Sequence, residues 1–98
     1  MYSIVEKEGG YINLSGVVCL SNADKVEHEL LTILHNAKCI KLRISDLNDF
    51  DSSLVALLLS LQRNAVKNNI DLYLSLQQHS VEMLLKSYNT YELFTYLN

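Results

Sequence analysis

Apolar residues take every second position in Ile40-Lys41-Leu42-Arg43-Ile44, with Lys41 and Arg43 opposite them, and the same pattern returns in Ile70-Asp71-Leu72-Tyr73-Leu74-Ser75-Leu76. Strict alternation predicts strands that rest one face on a core and leave the other wetter. Strands held between two helix layers would read instead as unbroken apolar runs, so the helices of this chain are expected mostly on one side of its sheet. Nearer the start, Ser3 to Lys7 and Tyr11 to Val18 alternate more weakly and are joined through Glu8-Gly9-Gly10, a turn-like link that predicts a hairpin.

Between and after these strands the apolar period changes to three and four. Ala23, Val26, Leu30, Ile33, Leu34 and Ala37 mark one face of a first helix, with Ser21 or Asn22 as its expected cap. A second helix is predicted from about Ser52 to Lys67, capped by Asp51 and ended by Asn68-Asn69 in a left-handed conformation. Val81, Leu84, Leu85 and Tyr88 mark a short third helix, with Ser80 as cap and Asn89 as terminator. In the tail, Leu93 and Phe94 are expected to pack back on the core.

The predicted order is β-β-α-β-α-β-α: an α/β fold with a mixed sheet of about four strands, right-handed crossovers and helices mostly on one face. With 98 residues, residues 1–98 are expected to form one domain. Hydrophobic residues make up 49% of the chain, enough to fill a core, and the absence of proline leaves most segments free to be regular. The formal net charge of -3 argues against a nucleic-acid partner, which calls for a basic face. The longest apolar run, Leu54 to Leu59, is too short to cross a bilayer, and the first residues carry no signal-peptide pattern, so a cytoplasmic protein without direct membrane insertion is expected. Cys19 and Cys39 lack metal or redox spacing and are expected to be reduced and apolar in role.

The segment Ile44-Ser45-Asp46-Leu47-Asn48-Asp49-Phe50-Asp51-Ser52-Ser53-Leu54, set in this element order, resembles the STAS family, which includes anti-anti-sigma factors and cytoplasmic domains of sulfate transporters. Asp46 resembles the family's strand-end Asp, Asp51-Ser52-Ser53 its switch motif, and Gly16 the glycine of its second strand. Leu54 and Asn69 replace glycines that are usual in the family. A short chain of this kind also resembles the MlaB-type STAS subunit of Mla phospholipid ABC transporters, whose Ser or Thr directly after the motif Asp maps onto Ser52. The phosphorylated serine of anti-anti-sigma factors maps onto Ser53. The resemblance implies a non-enzymatic module that docks on an ABC-transporter ATPase subunit, or alternatively on an anti-sigma factor kinase.

The motif also has a physical logic of its own. A helix N-terminus exposes unpaired N–H groups and the positive end of the helix dipole, so a hydroxyl there can cap, dock or carry a phosphate. Phosphate on Ser52 or Ser53 would join Asp49 and Asp51 in an acidic knob able to repel an acidic or apolar partner. On the second helix, Leu54, Leu57, Leu58, Leu61 and Ala65 form the expected core stripe. Val55, Leu59 and Val66 form a second stripe in line with Ser52 and Arg63, expected either to lie under neighbouring helices or to dock a partner. The candidate regulatory or partner-binding residues are therefore Asp49, Asp51, Ser52, Ser53, Val55, Leu59 and Arg63. With no G-x-S-x-G elbow, glycine-rich phosphate loop or metal-ligand spacing, no catalytic, cofactor or metal residue is assigned.

Overall fold

The structure, a computed structural model, describes residues 1–97. Strand β1 (Tyr2–Lys7) turns through a short 3-10 segment (Glu8–Gly10) into β2 (Tyr11–Val18), and the two pair antiparallel from Tyr2 opposite Gly16 to Lys7 opposite Tyr11. Helix α1 (Ala23–His35), β3 (Cys39–Phe50), α2 (Ser53–Lys67), β4 (Asp71–Leu76) and α3 (His79–Ser87) follow, then a second 3-10 turn (Tyr91–Leu93) and β5 (Thr95–Tyr96). The five strands lie in chain order, and β3, β4 and β5 each run parallel to the strand before them. Every parallel step advances in the same direction, and α1, α2 and α3 bury their apolar residues in one core on a single face of the sheet, the arrangement that right-handed crossovers give. The expected mixed sheet gains its fifth strand from the tail, whose two residues are too few to show an alternating pattern.

The register makes that one-sidedness chemical. Ile12 faces Leu42, Leu14 faces Ile44, Ile40 faces Leu72 and Leu42 faces Leu74, and all of these side chains are buried under the helices. From above, α1 contributes Val26, Leu30 and Leu34, and α3 contributes Val81 and Leu85. Helix α2 buries most, with Leu54, Val55, Leu57, Leu58, Leu61 and Ala65. On the other face Tyr11 and Asn13 run beside Lys41 and Arg43, and these beside Tyr73 and Ser75.

The helix ends follow one device with an unexpected start. Helices α2 and α3 end on Asn69 and Asn89, both left-handed, and the next residue's N–H closes back on the helix: Ile70 on the Ala65 carbonyl at 2.8 Å, Thr90 on the Leu85 carbonyl at 2.9 Å. Asparagine tolerates that conformation better than most residues do. At the starts, Ser80 lies inside α3 rather than capping it. The Asn22 side chain turns away from α1, accepting from the Cys19 N–H and donating to the Val17 carbonyl, so it braces the β2–α1 turn. Two residues expected in the core are exposed: Tyr88 lies past the end of α3, and Leu93 points outward while Phe94 alone packs inward. Cys39 is exposed rather than a core residue, and both cysteines are free.

Gly16 is fixed by backbone. Its φ is +94°, and a Cβ there would lie 2.3 Å from the Met1 carbonyl oxygen, the acceptor of the Val17 N–H. Gly16→Ala is expected to destabilise by at least about 1–3 kcal/mol, because the left-handed conformation and the clash fall on the same residue. Leu58, fully buried, gives the complementary case. Leu58→Glu is expected to abolish the cooperative melt, since an unpaired buried charge outweighs much of a total stability of about 5–15 kcal/mol. Urea and thermal melts followed by circular dichroism check both.

Candidate functional site

Helices α1, α2 and α3 begin where β2, β3 and β4 end, so their N-termini gather at the carboxyl edge of the parallel strands. Ligands and partners of open α/β sheets favour that edge, where helix dipoles point outward. The motif segment lies there, and β3 is bent to deliver it. Asp46 is not the end of the strand: it is left-handed, with φ at 57°, and β3 continues beyond it to Phe50. The pairing with β2 slips on either side of Gly16, from Leu14 opposite Ile44 to Gly16 opposite Leu47 and then Val17 opposite Asp49. Extra residues in β3 therefore bulge outward, exposing Asp46, Asn48 and Asp49 while Leu47 turns into the core.

Two side chains hold this bulged segment. The Gln78 amide closes on the Leu47 backbone from the β4–α3 turn: its Oε1 accepts the Leu47 N–H at 2.6 Å and its Nε2 donates to the Leu47 carbonyl at 3.1 Å. The Asp51 carboxylate caps and staples at once. Oδ1 accepts the Ser53 N–H at 2.9 Å, capping α2 as expected, and Oδ2 accepts the Leu20 N–H at 3.0 Å, tying in the β2–α1 turn. The Ser53 N–H, then the Leu20 N–H, then the Ser53 hydroxyl hold the Asp51 carboxyl below its usual range. Gln78 and Leu20 were invisible as site residues because each meets the motif across about thirty positions of chain, a separation no local pattern reports.

The predicted residues divide by exposure. Ser52 is exposed at the head of α2, whereas Ser53 is half-buried against Asp51. Asp49 and Asp51 are exposed and form an acidic rim with Asp46. Val55 does not belong to the docking strip: it is 4% exposed and part of the core. Turning one position further around the helix gives the ridge that faces solvent, namely Ser52, Ala56, Leu59, Arg63 and Val66, in steps of four, three, four and three. Within it Leu59 is half-buried against the core and Val66 is 68% exposed. Leu20, 81% exposed and tied to Asp51 through its N–H, adds an apolar side chain beside the rim.

The chain belongs to the STAS family: the family model described as Mlab, STAS domain, matches residues 5–93. A comparison with curated proteins gives no match in sequence. Among solved structures, the chain is similar to that of the anti-sigma factor antagonist SpoIIAA in its unphosphorylated form, with a TM-score of 0.74 and 13% identity over 100% of this chain and 89% of that one. At that identity the likeness concerns the fold.

Because folding lowers the Asp51 pKa, its contribution is complete above the unfolded carboxylate value of about 3.9 and is lost as pH falls through the lower folded value. Asp51→Asn keeps one acceptor oxygen in place of two. It is expected to melt below wild type at neutral pH, and the gap should narrow as pH falls below about 4. Melting the two proteins across pH 2.5–7 checks this; a constant gap would refute the assigned role.

Proposed function

We propose that this MlaB-like STAS chain, with residues 1–98 acting as one domain, is a non-enzymatic accessory protein that docks on the cytoplasmic ATPase subunit of a phospholipid-transporting ABC complex. It would reach the membrane only through that partner. The observation that carries the reading is the exposed Ser52 hydroxyl at the head of a solvent-facing ridge, in a chain matched by the Mlab family model. Ala56 is small enough to let a partner backbone approach α2, Leu59 and Val66 offer apolar area, and Arg63 offers a forked donor for a carboxylate. Asp49 and Asp51 already make the rim beside Ser52 acidic, so a further negative charge at Ser52 would repel an acidic or apolar partner surface seated there.

The alternative, an anti-sigma factor antagonist switched by phosphorylation, would place the phosphate on Ser53. That hydroxyl lies against the Asp51 carboxylate, so a phosphate there would displace the contact that caps α2. Ser52, which is exposed, carries no such contact to the motif and is the better placed group for docking or modification.

Under the proposed function, Ser52→Glu weakens binding to the purified ATPase subunit by about 1–3 kcal/mol, roughly 5- to 150-fold, while leaving the melt nearly unchanged because a carboxylate suits a helix N-terminus. Ala56→Glu folds like wild type and loses the partner. Ser53→Ala binds within a few-fold of wild type. Calorimetric titration of the three variants measures these effects. Wild-type affinity in both Glu variants would remove the ridge from the interface. Binding only to an anti-sigma kinase, with phosphate transferred to Ser53, would establish the alternative.

A further inference from the structure

The helix-free face of the sheet is the part of the molecule that the ridge on α2 leaves unused, and its chemistry runs against that of the whole chain. The formal net charge is -3, yet the centre of this face carries Lys41 and Arg43 among Tyr11, Asn13, Ser45, Tyr73 and the buried Ser75, with no carboxylate among them. Lys7, opposite Tyr11 on β1, adds a third cation at one margin, and Asp71, opposite Cys39, is the acid at the end of the same rows. Among the described residues neither central cation has a carboxylate partner, and the ion pair found there is Lys86 with Glu82, elsewhere on α3. Instead both lean over one ring. The Arg43 guanidinium carbon lies 4.1 Å from the Tyr11 ring centroid and the Lys41 ammonium 5.3 Å from it, with that ammonium also donating to the Gly9 carbonyl at 2.9 Å.

Arg43 is held in a way that leaves it incomplete. Its Nε is buried and has no acceptor among the described residues, and its guanidinium rests on the Tyr11 ring, with its remaining N–H groups as the edge left for a ligand. Around it the small polar side chains are already paired, Ser45 with Asn13 at 3.0 Å and Ser75 with Gln77 at 2.7 Å. The site therefore offers a planar fork and an ammonium in fixed positions, a donor set that matches carboxylates.

We propose that this face is a second docking surface and that it takes an acidic, extended segment of a partner protein. Glutamates or aspartates at alternate positions would meet Arg43 and Lys41, whose Cα atoms are two residues apart on one strand and so share the spacing of same-side residues in an extended chain. A nucleic acid fits less well, since Arg43 already covers a face of the Tyr11 ring that a base would stack on, and the acidic chain repels phosphates at longer range. Helix α2 packs on the opposite face of the sheet, so this surface and the Ser52 ridge can be occupied together.

The test is a nitrogen-15 NMR titration of the full chain with a ten-residue peptide of alternating Glu and Thr. Parallel titrations use its Lys-Thr counterpart, phosphatidylglycerol vesicles and a thymidine decanucleotide. Shifts confined to Asn13, Lys41, Arg43 and Tyr73, absent at Ser52 to Arg63, weakened by salt and unmatched in the other three titrations, are the expected result. Lys41→Gln with Arg43→Gln is expected to weaken the acidic peptide at least about tenfold at low salt, and Arg43→Lys by less. If the double variant fails to fold, Lys41→Gln alone, with its ammonium at the surface, is expected to give a severalfold loss. No shifts at this face, shifts unaffected by the variants, or stronger effects from vesicles or oligonucleotide would overturn the proposal. Concentration-dependent shifts of the same residues without peptide would overturn it in favour of self-association.

Discussion

Helix α2 laid across one face of a sheet whose strands run in chain order is the contact on which everything else depends. Its stripe from Leu54 through Leu58 and Leu61 to Ala65 shares one buried core with Leu42, Ile44 and Leu74 of the middle strands, to which α1 and α3 add their own buried residues. Because the parallel strands follow in chain order and crossovers favour one hand, all three helices share one core and leave the second face open. The sequence of β3 is adapted to that asymmetry. Ile40, Leu42 and Ile44 go under the helices, and Lys41, Arg43 and Ser45 go to the open side. One packing decision thus creates two separate surfaces, a solvent-facing ridge on α2 and a cationic sheet face behind it.

The carboxyl edge shows how a surface can respond to charge without endangering the fold. Its shape is set by contacts that do not involve the Ser52 hydroxyl: the Gln78 amide on Leu47, and the Asp51 carboxylate on Ser53 and Leu20. Ser52 stands outside these bonds, exposed, at the positive end of the α2 dipole. A negative group added there is tolerated by the helix and felt by whatever lies against it. Ser53, one residue on, is part of the cap itself, so a charge at that position competes with Asp51 for the same N–H groups. Two adjacent serines are thereby given different physical roles by a single carboxylate.

Most of the fold was readable because its signals are local. Alternation in Ile40 to Ile44 and Ile70 to Leu76 found β3 and β4 and the sidedness of the sheet, and the three- and four-residue spacing found the three helices. Asn69 and Asn89 marked helix ends because a left-handed residue is required there. The misses share a cause. The last part of β3, from Asp46 to Phe50, has no alternation because its pairing with β2 slips at Gly16. Strand β5 is two residues long, and the exposure of Tyr88 and Leu93 depends on where the chain leaves α3.

At the site, the sequence by itself determined the chemistry: a capping Asp51 followed by hydroxyls at a helix start, acids around them, and an apolar helix beyond. Only the tertiary structure decided which of those groups can be reached. Val55 and Ala56 are neighbours in sequence, yet a turn of about 100° per residue buries the first and exposes the second, and the angle at which α2 lies on the sheet is a property of the whole packing. Leu20 and Gln78 joined the site, and Lys41 and Arg43 came together over Tyr11, because strands remote in sequence were brought side by side. Local pattern fixes what each residue does to its own helix or strand; contact across the sheet depends on register and crossover, which a single chain of letters does not state.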